Sequence, residues 1–294
     1  MSKEATEDPV HYSDWLELLG FMQEQEALGH IHASVPKPVT PDDVWLPKIR
    51  KARDYVASLP GRASNPEISD LPKTFKERTT ALQGEPSFSE HMVGMKSSRF
   101  AYVNFRDLRC FQVRLNCEYA DALVEKAPDP SDHEGTVRFC LPLMSEALNV
   151  EVLVSLNPVG NTVALTSQNL DMRVLGMVQG DHSPGRKFVG FAYGFGLPQV
   201  LAVEYRGAYI IKNGHHRAFA LIKKGHTRLP CLVLSTDNYQ FTGGQMSGAF
   251  PPDLVMSDRP PLLQDFASDA AVQIPRRRTR AVVSVHAEVQ QIPL

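Results

Sequence analysis

The sequence predicts an α+β protein, a mixed-sheet domain with insertions that follows a helical N-terminal extension. Three observations predict it. Helix start and stop signals dominate about the first ninety residues. From Arg99 onward, short runs rich in β-branched and aromatic residues replace them. Between Gly196 and Leu234 the order is strand, tight turn, strand, helix, strand.

The composition sets the bounds. The 294 residues are 43% hydrophobic and 22% charged, which suits a chain that buries a full core. The 31 basic and 33 acidic residues nearly cancel, to a formal charge of −2. No general positive field therefore advertises nucleic acid or an anionic bilayer, and DNA is a partner that the composition does not favour. Residues 1–14 are polar and acidic, unlike a secretory signal, and no apolar run approaches the roughly 20 residues that a bilayer crossing needs. The expectation is a cytoplasmic protein without a membrane partner. Cys110, Cys117, Cys140 and Cys231 sit singly in apolar segments and not in close pairs, so they read as reduced core residues.

In chain order, SDWLELLGFMQEQEALG (13–29) and TPDDVWLPKIRKARDYVASLPG (40–61) predict two helices. Ser13 and Thr40 are their caps, and Gly29 and Gly61 their stops. Pro36 and Pro38 separate them, and the polar stretch from Pro60 to Gly84 reads as linker, which puts residues 1–90 in an extension. The segments 100–115, 135–143, 150–156, 161–167 and 171–178 predict strands, with a hairpin loop at Asn157–Asn161. EYADALVEK (118–126) predicts a helix among them. Phe188, Phe191, Tyr193 and Phe195 read as packing under a cleft. After Tyr239, Gly- and Pro-rich sequence predicts loop until AVVSVHAEV (281–289), whose alternation predicts a half-buried strand.

Chemistry concentrates at Asn213-Gly214-His215-His216-Arg217, where a strand turns into a helix. Gly214 would let an anion approach the backbone, and the first-turn amides and helix dipole would attract it. Arg217 would add a fork of donors. His215 and His216 would add donors or, when neutral, a base. The pattern predicts a phosphate site; a histidine-bearing helix cap is the plainer alternative.

Seven residues in the same stretch carry a family resemblance: Gly196, Pro198, Tyr209, Gly214, Arg217, Gly225 and Pro230. Their order resembles the core of the ParB/sulfiredoxin superfamily, with residues 99–294 as an elaborated domain, its core motif at 196–236 and an insertion at about 127–185. The resemblance implies a nucleotide or phosphorylated small molecule as ligand, with phosphoryl transfer or nucleotide hydrolysis as the reaction. It also implies Mg²⁺ where the ligand is a triphosphate.

The departures narrow this. Sulfiredoxins carry their essential cysteine where His215 stands, which excludes their thiolate chemistry here. Partition-type ParB proteins place an acid and two arginines after the glycine to bind CTP, and a helix-turn-helix domain after the core; this chain has one arginine and no such domain pattern. The superfamily's free serine kinases match His216 and Arg217 but have aspartate where Asn213 stands. A catalytic base must then come from elsewhere, and Asp107, Glu118 and Asp171 are the nominees, with Arg173 as a further cleft residue. The alternative from another class is a non-catalytic, nucleotide-responsive or DNA-associated module.

Outside this stretch, the pair His30 and His32 has no third metal ligand nearby. The run Arg276–Arg280 reads as a solvated strand edge.

Overall fold

The computed structural model describes residues 11–34, 41–62, 67–85, 88–146, 151–157, 161–167, 172–195, 198–246 and 248–286. In chain order these form β1 (Tyr12–Glu17), α1 (Glu24–His32), α2 (Asp42–Ser58), β2 (Ile68–Asp70), α3 (Lys76–Gln83) and the single turn α4 (Phe88–His91). Then come β3 (Ser97–Asn104), β4 (Leu108–Arg109), β5 (Arg114–Asn116), α5 (Cys117–Lys126), α6 (His133–Cys140), β6 (Leu153–Asn157), β7 (Thr162–Ser167), β8 (Arg173–Ser183) and β9 (Arg186–Gly194). The chain continues with β10 (Leu201–Tyr205), β11 (Ala208–Asn213), α7 (His215–Lys223), β12 (Arg228–Ser235), the short α8 (Pro252–Val255), β13 (Val272–Arg277) and β14 (Ala281–His286). The protein is α+β. It divides into two compact units, Met1–Glu146 with Pro198–Arg277, and Ala147–Leu197 with Arg278–Leu294.

The first unit is built on a six-stranded mixed sheet of order β2-β3-β12-β10-β11-β4. β10 and β11 form a hairpin over Arg206-Gly207, both at positive φ (50° and 76°), the geometry that a tight two-residue turn requires. α7 then carries the chain back so that β12 lies parallel to β10, while β11 pairs parallel to β4. β10 and β12 are buried almost along their whole length, as central strands covered on both faces are. α7 presses Ala218, Phe219 and Leu221 into the core, and Gly225, at φ 88°, takes the chain out of the helix. A second sheet, β13-β1-β5, is antiparallel throughout.

Four expectations need correcting here. The stretch from Pro60 to Gly84 is not all linker, since β2 pairs with β3 in the main sheet and Lys76–Gln83 is α3. Residues 13–29 are not one helix: Tyr12–Glu17 is the central strand of the second sheet, and the helix starts only at Glu24. Pairing on both sides satisfies its backbone, and its Glu17 side chain is fully buried between His30 and Arg276. Residues 135–143 are not a strand but mostly α6. Asp132 caps that helix through its bond to Gly135 N (2.8 Å), and Thr136, Val137 and Cys140 share its buried face. Arg276 is no solvated edge charge, since it closes on buried Glu17. The second helix fits closely: Asp42–Ser58 ends where Leu59 turns extended before Pro60. Thr40, its expected cap, lies outside the described residues.

The second unit contains the antiparallel sheet β14-β7-β6 and the hairpin β8–β9. β14 alternates as its sequence predicts over Ala281–His286, and residues 287–289 lie outside the described part. The aromatic series is not packed under a cleft, because Phe188, Phe191 and Tyr193 are 47%, 42% and 40% exposed on β9. Gly180 stands opposite Phe188, and Met177 and Val174, opposite Phe191 and Tyr193, are themselves exposed, so the hairpin offers no deep apolar layer. Among the described residues, no helix is long and apolar enough to cross a membrane. All four cysteines are free, and Cys110, Cys140 and Cys231 are buried.

One buried ion pair ties the N-terminal region to the loop before β13. Arg62 reaches both carboxylate oxygens of Asp265 (2.5 and 2.9 Å), which also accepts from Leu262 N. The two side chains are 12% and 3% exposed. Arg62→Leu strands that carboxylate, and the expected loss in unfolding free energy is about 3 kcal/mol in urea titration. An unchanged urea midpoint would contradict this role.

Candidate functional site

The strand-to-helix turn forms as its sequence predicts. Gly214 stands at φ 88°, a conformation that a side chain strongly disfavours, and no side chain caps the first turn of α7. The purpose of the glycine differs from the expected one, however. A Cβ at Gly214 would lie 2.7 Å from Val200 Cγ2 and 3.1 Å from Val200 Cα, so the space is filled by protein.

The side chains around it serve the same segment. Asn213 Nδ2 donates to Gln199 O at 3.0 Å, and Arg217 Nη1 donates to Pro198 O. Val200 is fixed further by Val200 N to Cys140 O (2.8 Å) and Leu232 N to Val200 O (3.0 Å). His216 faces another way: its Nε2 accepts from Asn116 N at 3.0 Å, at the residue that also caps α5. That bond requires a free lone pair on Nε2, so the proton sits on Nδ1. His216 Nε2 and Arg217 Nη1 are therefore engaged with the backbone.

His215 is the member without such a partner. It is 6% exposed, its ring meets Phe111 edge-on at 5.3 Å, and its Nε2 is buried without a hydrogen bond. Beside the same phenyl ring stands Lys212. A Cβ at Gly243 would touch Phe111 Cζ at 3.2 Å and Lys212 Cγ at 3.4 Å, which places both next to that glycine. Burial lowers the Lys212 pKa, and the ammonium makes no ion pair among the described residues. Sequence reasoning passed over Lys212. The available signal was its place on β11 directly before Asn213.

Burial also sets the protonation of the histidines. Desolvation, with a smaller push from His216, depresses the His215 pKa to about 3, and desolvation alone depresses that of His216 to about 4. Both are neutral near pH 7, so neither supplies positive charge to a bound phosphate. Desolvation likewise lowers the Arg217 pKa, and Arg217 keeps its charge.

The remaining nominees separate. Asp107 is buried and accepts from Glu67 N at 2.9 Å. It precedes β4, which runs parallel to β11 from Leu108 opposite Tyr209, so Asp107 lies at the end of β11 away from the turn. Six residues of strand, at about 3.3 Å each, hold the two about 20 Å apart. Asp107 is therefore not a base for this turn. Glu118 lies in the first turn of α5, next to the Asn116 that holds His216, and is exposed. It is the nominated carboxylate that the fold brings near. Asp171 lies outside the described residues, and Arg173 begins β8 in the other unit.

His30 and His32 lie on a helix and bind Glu17 and Asp42. Among the described residues, no three His, Cys, Asp or Glu side chains converge as a metal site. No family model, curated protein or solved structure matches the chain.

Gly214→Ala meets both the positive φ and Val200, and should cost about 2 to 4 kcal/mol of unfolding free energy. Adding Val200→Ala should recover part of that loss, which denaturant titration of the single and double variants checks. Additive losses would contradict the contact.

The histidines predict an acid limit. The unfolded chain protonates them near their ordinary pKa of 6.5, and the folded chain only near 3 and 4. Below pH 6.5 the unfolded state binds more protons, so their full stability holds above that pH and drains as pH falls toward 4. The slope is at most about 1.4 kcal/mol per pH unit for each ring. His215→Gln should flatten the stability profile between pH 6 and 4; an identical slope in the variant would contradict the buried neutral ring.

Proposed function

We propose that the chain binds a nucleotide or phosphate ester at the start of α7. The observation that carries the proposal is the uncapped N-terminus of α7, where the buried His215 Nε2 has no hydrogen-bond partner among the described residues and Lys212, two positions before Gly214, makes no ion pair among them. A phosphate there would complete the open amides of the first turn, pair with the lysine and give His215 an oxygen to donate to. Arg217 acts as a fixed positive charge behind the turn, while Asn213 and Gly214 set the backbone that presents the amides.

The order of hairpin, α7 and β12 supports a ParB/sulfiredoxin-like reading of this part of the chain. Within that reading, a nucleotide-responsive binding module suits the turn better than a simple kinase, because both histidines are buried and neutral. Phosphoryl transfer or nucleotide hydrolysis is the second reading. Glu118, beside the Asn116 contact, favours it, and Mg²⁺ would enter with a triphosphate.

A thermal-shift panel of nucleotides and phosphorylated metabolites, with and without Mg²⁺, tests the proposal. A ligand at a hundred times its dissociation constant adds about 2.7 kcal/mol, a rise of several degrees. That rise should shrink in Lys212→Gln and Arg217→Ala. Product analysis of the best ligand, repeated on Glu118→Gln, then separates turnover from binding. If no phosphate-bearing compound stabilises the wild-type protein, the proposal fails.

A further inference from the structure

A cleft of about 540 Å³ opens in the first unit where the turn leading into α1, the C-terminal half of α2, and α8 with the segment after it come together. None of the residues at the α7 turn lines it. The volume falls in the range of about 300 to 1,000 Å³ typical of small-molecule sites. One wall is apolar, made by Phe21, Met22, Val56 and Leu254.

Three arginines, Arg50, Arg53 and Arg259, share the cleft with two carboxylates, Glu24 and Asp54. Arg50 is already neutralised, with Nε and Nη2 on the two oxygens of Glu24 at 2.8 and 3.1 Å. The other two have only neutral hydrogen-bond partners, although the charge of Arg53 also acts on Glu24. Arg53 Nη2 donates to Gln23 Oε1 at 3.2 Å, and Arg259 Nη1 donates to Ala57 O at 3.2 Å. Neither makes an ion pair among the described residues. Three guanidinium charges thus stand against two carboxylates in the cleft, and Arg53 and Arg259 each keep further N–H groups beyond their one bond.

We propose that this cleft binds a small organic acid, a carboxylate carried on an apolar or aromatic body. The guanidinium forks of Arg53 and Arg259 match the geometry of a carboxylate, and one carboxylate balances the excess charge. Phe21, Met22, Val56 and Leu254 take the apolar body, which a bare inorganic anion would leave unused. The site is independent of the phosphate reading of the α7 turn, and either can fail alone.

The test uses the full chain with ¹³C-methyl methionine and follows the Met22 resonance, which reports on this cleft. Phenylacetate should shift it saturably, and phenylethanol, which has the same ring without the charge, should not. Arg53→Gln or Arg259→Gln should weaken the phenylacetate response about tenfold, as expected for the loss of one charge-assisted contact. Both arginines are at the surface, and the comparison of acid with alcohol needs no variant at all. The proposal is overturned if Met22 does not respond to phenylacetate, if the alcohol binds as well as the acid, or if neither substitution weakens binding.

Discussion

The first unit depends on how tightly the segment Pro198–Val200 is held against the start of α7. Gly214 has no side chain because Val200 occupies its place, Asn213 binds the carbonyl of Gln199, and Arg217 binds that of Pro198. From that clamp the chain enters β10, and the hairpin, the helix and the parallel return strand follow in a fixed register. His216 extends the clamp to α5 through Asn116. A motif with the look of an anion site therefore first holds the protein's own backbone in place.

This double use explains the chemistry that survives. Groups already satisfied by backbone cannot be the primary contacts of a ligand without the loss of their present bonds. The groups uncommitted among the described residues are the first-turn amides, Lys212 and His215, whose ring packs on Phe111. A buried neutral imidazole and a partly desolvated ammonium are costly to keep unpaired. An anion that reached both groups would offset both costs, and this favours binding over proton transfer in the function proposed.

Legibility in the sequence followed the range of the interactions involved. The hairpin, α7 and β12 were readable because their signals are local: Arg206-Gly207 at the turn, Gly214 and Gly225 at the helix ends, and β-branched runs between them. Residues 13–17 were misread because their strand is defined by partners at β5 and β13, far along the chain, and no local pattern reveals that pairing. α6 was misread because Val, Phe and Cys suggest a strand, whereas the Asp132 cap and the burial of one face decide for a helix. At the site, the identity of the turn was legible but its occupancy was not. The contacts of Val200 with Gly214 and of Phe111 with His215 come from tertiary packing, which also made Lys212 easy to miss.

The most direct test of the central claim follows the backbone amides of His215, His216 and Arg217 by ¹⁵N NMR during titration with a nucleoside triphosphate and Mg²⁺. The account predicts saturable downfield shifts at these amides, accompanied by changes at Lys212, and a weaker response in Lys212→Gln. Amides of the α7 turn that stay unmoved while the ligand binds elsewhere, or that move equally in the variant, would contradict it.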